Sequence, residues 1–154
     1  MSKVNDLFTE KFRPKNLNEL IAPERVKSEL NKGLVQNLLL YGTPGTGKTS
    51  TLFILAEGHQ KLYINASSER GIDTVRDTIP KFCSTISLDG GKENLKCVIL
   101  DELDGATDEF YKALRGVMER YASTARFIAS MHIDRKSTRL NSSHCSRSRM
   151  PSSA

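Results

Sequence analysis

Short apolar runs alternate along this chain with longer segments of mixed polarity. The run from Lys96 to Leu100 has no polar alternation, which is typical of a strand buried on both faces of a parallel sheet. Leu38–Tyr41, Lys61–Asn65 and Arg126–Ser130 have the length and composition of three further strands. Since helical segments separate these strands, the pattern predicts an α/β fold, a parallel sheet with flanking helices.

Four segments, one before the first strand and three between strands, have the features of helices. Thr107 is the expected N-cap of the last of them, because apolar residues follow it at spacings of three and four. Pro80 predicts a kink or an early end in the third. The segments are Pro23–Leu30, Ser50–Ala56, Ile72–Ile79 and Thr107–Tyr121.

A glycine-rich motif, G-x-x-x-x-G-K-T, lies between the first predicted strand and the helix after it. Strand, glycine-rich turn and helix form a phosphate-binding loop, in which backbone N–H groups and the helix N-terminus face the phosphates. We expect Lys48 to reach the β- and γ-phosphates as a catalytic residue, and the Thr49 hydroxyl to bind Mg²⁺. The alternative is a glycine-rich turn that carries a lysine by coincidence. The nucleotide-binding residues predicted here are Gly42, Thr43, Pro44, Gly45, Thr46, Gly47, Lys48, Thr49 and Ser50.

Two acidic residues follow the buried strand that ends at Leu100. Ligands of open α/β sheets bind at the carboxyl ends of the strands, so Asp101 and Glu102 are expected opposite the glycine-rich loop. Asp101 is suited to orient Mg²⁺, and Glu102 to polarise the water that attacks the γ-phosphorus as the catalytic base. The alternative is a solvated acidic loop. Asp104 is expected in the turn that follows.

Charge and cysteine content narrow the class of protein. The formal net charge is +5, but five of the 23 basic residues and one of the 18 acidic residues lie in 134–154, so residues 1–133 are nearly neutral. Nucleic-acid binding must therefore rest on local placement of charge. The three cysteines have no metal-ligand spacing, which favours reduced thiols in an intracellular protein. No apolar run has the ~20 residues of a membrane span.

Residues 134–154 differ abruptly in composition from the preceding chain. Serine and arginine dominate and apolar residues are nearly absent, which indicates disorder. The segment also resembles a translated sequencing-library adapter, so we expect an artefactual tail there. A basic serine/arginine tail for nucleic acid is the other interpretation. The predicted domain, a partial nucleotide-binding domain, is 1–133.

Several stretches together resemble the AAA+ ATPase subunits of sliding-clamp loaders, in particular the replication factor C small subunits and the ATPase subunit of T4-like phage loaders. The resemblance covers roughly residues 8–133, and the Ser-Ser-Glu-Arg-Gly-Ile-Asp stretch is far more particular to this family than the phosphate-binding loop. The matching stretches are 10–14, 42–49, 65–73, 101–104 and 114–119.

This resemblance implies ATP and Mg²⁺ as cofactors. It also implies a ring of clamp-loader subunits, a sliding clamp and primer–template DNA as partners, no membrane, and a cytoplasmic or nuclear location (the host cytoplasm if viral). It places Phe12, Arg13 and Pro14 beside the adenine. Ile72 and Arg76 would face the DNA backbone; the alternatives are core packing for Ile72 and a solvated helix face for Arg76.

Two departures from the family pattern affect the functional interpretation. After the strand Arg126–Ser130, where the family usually carries an asparagine that senses the γ-phosphate, this chain has Met131 and His132. The family's arginine finger, fifth strand, lid and collar are also not found, so weak activity is expected of the 154 residues. The alternative functions are a non-hydrolysing nucleotide-binding scaffold and another AAA+ DNA motor, such as a helicase loader.

Overall fold

The computed structural model of this chain describes residues 12–68, 72–85 and 95–133. Short 3-10 turns occur at Leu17–Glu19 and Leu103–Gly105, and a π-helical turn at Thr74–Thr78. The helices and strands of these ranges, in chain order, are α1 (Glu24–Leu30), β1 (Leu38–Gly42), α2 (Lys48–Leu55), β2 (Gln60–Asn65), α3 (Ile79–Ser84), β3 (Lys96–Asp101), α4 (Asp108–Arg120) and β4 (Ala125–His132).

The four strands form one parallel sheet in the order β1-β4-β3-β2. This confirms the α/β fold class and the four strands expected from the sequence. Because all neighbours are parallel, the carboxyl ends of β1, β4 and β3 lie along the same edge. Gly42, at the end of β1, pairs with His132 of β4, and Leu100 of β3 pairs with Ala129.

Helices cover both faces of the sheet, and the central strand β3 is buried along its whole length. Successive side chains of a strand point to opposite faces, so β3 contributes to two separate cores. Val98 and Leu100 pack with Phe110 of α4 on one face, whereas Cys97 and Ile99 pack with Leu52 of α2 on the other. The unbroken apolar run in the sequence therefore reflects burial on both sides.

Helix α4 begins as its sequence predicts. The Thr107 side chain accepts a hydrogen bond from the backbone N–H of Phe110, which satisfies a donor of the first helical turn. Pro80, in contrast, does not end its helix, which continues to Ser84. The irregularity occurs instead in the preceding residues, as the π-helical turn Thr74–Thr78.

Strand β4 is longer than expected. The sequence predicted its end at Ser130, but pairing with β1 continues through Met131 and His132. Both residues are therefore part of the sheet rather than of a following loop, because β1 extends as far as Gly42 and offers partners to them.

Several predictions lie outside the described residues. They concern Glu10 and Lys11, residues 69–71 and the segment 134–154. Within the described ranges, no helix combines the length and the apolar character required to span a bilayer.

Gly105 and Gly116 allow a matched test of the packing. A Cβ on Gly105 would lie 2.7 Å from the Ser67 Cβ and 2.9 Å from its Cα, whereas one on Gly116, inside α4, meets no atom within 4 Å. We expect Gly105→Ala to lower the free energy of unfolding by about 1–3 kcal/mol. Gly116→Ala should raise it by about 0.5–1 kcal/mol. Urea denaturation of both variants measures the two effects, and equal stability of the variants would contradict the packing described.

Candidate functional site

The glycine-rich loop joins the end of β1 to the start of α2. Gly45 and Gly47 have φ angles of +78° and +79°, a region that residues with a Cβ rarely adopt. The Thr46 hydroxyl closes the loop by donating to the Thr43 carbonyl at 2.9 Å. The loop therefore leads into α2 through left-handed glycines, and the free N–H groups of the first helical turn lie at the sheet edge.

Lys48 lies within this loop and is almost completely buried. Its ammonium donates to the carbonyls of Gly42 and Thr43, at 3.0 and 2.9 Å. The charge is thus held by neutral acceptors in the described residues rather than by a carboxylate. Such an arrangement leaves the ammonium available to a stronger, anionic acceptor.

Asp101, at the end of β3, faces the loop across the crevice. Its carboxylate is 4% exposed, and Oδ1 accepts a hydrogen bond from the Thr49 hydroxyl at 3.2 Å. The structure therefore brings together Lys48, Thr49 and Asp101, which the sequence expected to share one ligand.

Ser130, on β4, forms a hydrogen bond with the Asp101 carboxylate. Its hydroxyl donates to Asp101 Oδ1 and accepts from the backbone N–H of Glu102 at 3.0 Å. Ser130 is 1% exposed, so it is a buried hydroxyl that connects two neighbouring acidic residues. Sequence reasoning missed it, although a serine within an apolar strand was a usable signal.

Glu102 turns away from β3 in an unusual backbone conformation. It is the one described non-glycine residue with a positive φ, 54°, and strain of this kind is concentrated at functional sites. Its Oε2 accepts from the Ser67 hydroxyl at 2.5 Å and from the Asn65 amide at 3.4 Å. The last residue of β2, Asn65, and Ser67 just beyond it therefore orient the predicted catalytic carboxylate.

Tyr63 on β2 contacts the other oxygen of Asp101. Its hydroxyl donates to Oδ2 at 3.2 Å. Burial raises the pKa of the Tyr63 hydroxyl, and the charge of Asp101 raises it further. The proton therefore remains on the tyrosine at neutral pH, where it can donate to the carboxylate. No signal in the sequence had indicated this residue.

Two of the three predicted adenine-side residues, Arg13 and Pro14, lie against α2. The Arg13 guanidinium is 5.6 Å from the centre of the Phe53 ring, Phe12 is largely exposed, and Pro14 lines the same shallow depression as Arg13. None of these three residues lines the larger cavity beside Lys48. That cavity, of about 610 Å³, is bordered mainly by apolar residues, among them Leu20, Ile21, Ala22, Val26, Leu30, Leu39 and Tyr41.

The predicted DNA-facing residues lie on a separate surface. Ile72 is half-buried and Arg76 is exposed. Both line a cleft of about 620 Å³ between α4 and the segment that leads into and forms the π-helical turn Thr74–Thr78, and Lys112 and Arg120 of α4 line it too. The half-buried position of Ile72 and the exposure of Arg76 agree with core packing and a solvated helix face as well as with a DNA contact.

His132 ends β4 beside the first residue of the glycine-rich loop. Its backbone N–H donates to Asp104 Oδ1 at 2.8 Å, and Asp104 itself lies in the turn expected for it. The Nδ1 atom of His132 is buried and has no hydrogen-bond partner among the described residues. The sequence departure noted above therefore lies at the strand end next to the glycine-rich loop.

The residues present fit a magnesium ion bound together with a nucleotide. In the described part of the chain, His, Cys, Asp and Glu form no cluster of three or more that could hold a metal. Magnesium at nucleotide sites takes only one or two carboxylates, and phosphate oxygens and water complete its shell. A hydroxyl and a carboxylate 3.2 Å apart, Thr49 and Asp101, suit this type of site.

The sequence matches a family described as "ATPase family associated with various cellular activities (AAA)" over residues 38–149. It is 42% identical over 137 residues to replication factor C small subunit 2 of Pyrobaculum islandicum, a match that covers 81% of this chain and 42% of the relative. It is 39% identical over 159 residues to replication factor C subunit 3 of Saccharomyces cerevisiae, and this match covers 96% of this chain and 46% of the relative. The chain thus spans less than half the length of these relatives.

Among solved structures, the fold is similar to that of RuvB from Thermotoga maritima. A RuvB variant superimposes with a TM-score of 0.64 at 17% identity, and the match covers 80% of this chain and 43% of that one. At this identity the likeness concerns the arrangement of sheet and helices alone.

Replacing Ser130 tests the connection between the two acidic residues. Ser130→Ala leaves the Glu102 N–H and one acceptor of Asp101 without this partner, and we expect a loss of about 1–3 kcal/mol in the free energy of unfolding. Ser84→Ala, which removes an exposed hydroxyl, is the control and should change stability by under about 0.5 kcal/mol. Chemical denaturation measures both; a Ser130→Ala variant as stable as the control would show that the buried hydroxyl contributes nothing.

Proposed function

This chain belongs to the AAA family of ATPases, and from that premise we propose that it binds and hydrolyses ATP with Mg²⁺ as a subunit of a sliding-clamp loader, like the replication factor C subunits to which it is similar. The observation that carries the proposal is the hydrogen bond from Thr49 to Asp101 across the crevice between the glycine-rich loop and β3, directly beside Lys48, whose ammonium is bound to two carbonyls of that loop. A triphosphate in that crevice would reach all three side chains.

Binding would use groups that already point into the crevice. The N–H groups at the start of α2 and its partial positive charge favour phosphate oxygens. Lys48 would exchange its carbonyl acceptors, Gly42 and Thr43, for phosphate oxygens, which bind an ammonium more strongly. The large apolar cavity beside Lys48 supports a position for the base. The resemblance would instead place Phe12, Arg13 and Pro14 beside the adenine, but Arg13 and Pro14 line a separate depression against α2.

Hydrolysis would depend on the two carboxylates at the end of β3. Mg²⁺, when bound, neutralises phosphate charge, and Thr49 and Asp101 would hold it. Glu102 would orient the attacking water toward the γ-phosphorus and accept a proton from it. Its hydrogen bonds to Ser67 and Asn65 fix the direction of the carboxylate, which supports this role.

We further propose that the cleft lined by Ile72 and Arg76 faces primer–template DNA. Three cations, Arg76, Lys112 and Arg120, line this cleft against one acid, Glu109, so its net charge is positive. Ile72 supplies an apolar contact. Contacts from such cations to phosphates are independent of base sequence. A clamp loader requires this property because it acts at any primer end.

The proposed partners are other clamp-loader subunits in a ring, a sliding clamp and primer–template DNA. A trans-acting arginine from a neighbouring subunit would complete the ATP site, as in other NTPases. The protein would act where DNA is replicated, in the nucleus or cytoplasm.

A nucleotide-binding scaffold without turnover is the second candidate. It is favoured by His132, which occupies the strand end beside the glycine-rich loop where the family usually carries an asparagine. Another AAA+ DNA motor is disfavoured by the Ser-Ser-Glu-Arg-Gly-Ile-Asp stretch.

Two substitutions separate binding from turnover. Lys48→Ala should abolish nucleotide binding, because it removes the buried ammonium of the site. Glu102→Gln should retain binding and lower turnover at least about 100-fold, the lower range for a lost general base. Calorimetric titration with ATP and phosphate release measure the two quantities. The exposed pair Lys32 and Glu29 provides matched controls, Lys32→Ala and Glu29→Gln; full turnover in Glu102→Gln would contradict the assigned role.

The proposed functions differ in how ATPase activity responds to partners. With partner subunits, primer–template DNA and the cognate clamp together, strong stimulation supports a clamp loader. Nucleotide binding without turnover under these conditions supports the scaffold. Stimulation by DNA that is unchanged when the clamp is omitted supports another DNA motor and contradicts the proposal.

A further inference from the structure

A column of stacked side chains connects the N-terminal segment to Asp101. The ring of Phe53 on α2 lies 5.3 Å from that of Tyr63 on β2, and their planes are 22° apart. The Arg13 guanidinium lies over the Phe53 ring at 5.6 Å. At the other end of the column, the Tyr63 hydroxyl reaches Asp101 Oδ2 at 3.2 Å.

Core packing does not account for the position of Tyr63. Its side chain is 41% exposed, and β2 is at the edge of the described sheet. The ring is instead held by its stack on Phe53, and the polar tip by the carboxylate. Tyrosine suits this half-exposed position because its ring is apolar and its hydroxyl is polar.

The donors to Asp101 divide between its two oxygens. Thr49 and Ser130 donate to Oδ1, whereas Tyr63 donates to Oδ2. Hydrogen bonds to both oxygens fix the rotation of a carboxylate about its terminal torsion, which is otherwise broad. Without the Tyr63 hydroxyl, Asp101 Oδ2 would lose this hydrogen bond, and the orientation of the carboxylate would be less well defined.

Building on the proposed function, we propose that Tyr63 is a positioning residue of the magnesium site. Its hydroxyl sets the direction of the Asp101 carboxylate, and the stack on Phe53 sets the place of the hydroxyl. Residues that hydrogen-bond to a metal ligand without touching the metal are important for affinity. Their substitution typically lowers metal affinity about 10- to 100-fold. Tyr63 touches neither the phosphates nor the attacking water in this account.

The test is the Mg²⁺ dependence of nucleotide binding in Tyr63→Phe. This variant keeps the ring and its stack and removes only the hydroxyl. We expect the Mg²⁺ concentration for half-maximal binding of a fluorescent, non-hydrolysed ATP analogue to rise about ten-fold, while affinity in the absence of metal is unchanged. Tyr121→Phe is the matched control, since its hydroxyl contacts Ser84; it should change neither quantity.

Two results would overturn the assignment. One is an unchanged Mg²⁺ requirement in Tyr63→Phe. The other is a parallel loss of metal-free affinity and of folding stability, which indicates a merely structural role. If the wild-type chain binds no nucleotide at all, the proposed function fails instead. A second measurement then still tests whether the Tyr63 hydroxyl interacts with the Asp101 carboxylate.

That second measurement is the alkaline titration of tyrosine absorbance, with the Tyr63 signal taken as the difference from Tyr63→Phe. Asp101→Asn removes the negative charge beside the hydroxyl, so the pKa of Tyr63 should fall. A pKa of Tyr63 that is unaffected by Asp101→Asn would show that the hydroxyl and carboxylate do not interact, and would overturn the proposal.

Discussion

The parallel pairing of β1, β4 and β3 is the constraint on which the candidate site depends. It places the glycine-rich loop, Ser130 and Asp101 at one edge of the sheet although they are far apart in sequence. The Thr49–Asp101 hydrogen bond is the point at which the loop meets β3. If β4 were shifted by one residue relative to β3, Ser130 would face the opposite side of the sheet, and Asp101 would lose its buried partner.

The site combines rigid support with local strain. Val98 and Leu100 anchor β3 in one core, and Cys97 and Ile99 anchor it in the other, so the end of the strand is fixed from both faces. Directly beyond it, Glu102 adopts a left-handed conformation that costs a residue with a Cβ on the order of 1 kcal/mol or more. The packing of β3 and the hydrogen bond from Glu102 N–H to Ser130 offset that cost. Strain of this kind persists only where the surrounding structure enforces it.

The sequence was sufficient to predict the features that depend on local pattern. The run Lys96–Leu100, the cap at Thr107 and the glycine-rich loop each have a spacing or composition that one physical rule explains. Contacts between distant segments left no such pattern. Tyr63 reads as an ordinary strand tyrosine until pairing places it near Asp101, and the length of β4 depends on how far β1 continues. The early helix end expected at Pro80 is wrong because Pro80 lies in the first turn of α3, where its missing N–H has no required partner.

The most direct test of the central claim is a crystal structure of this chain with Mg²⁺ and a non-hydrolysed ATP analogue. The account predicts the metal about 2.0–2.1 Å from the Thr49 hydroxyl oxygen, with Asp101 bound to the ion or to its water. It also predicts that the Lys48 ammonium has left the Gly42 and Thr43 carbonyls for phosphate oxygens. A nucleotide bound elsewhere, or a triphosphate in the crevice with Lys48 still on both carbonyls, would contradict it.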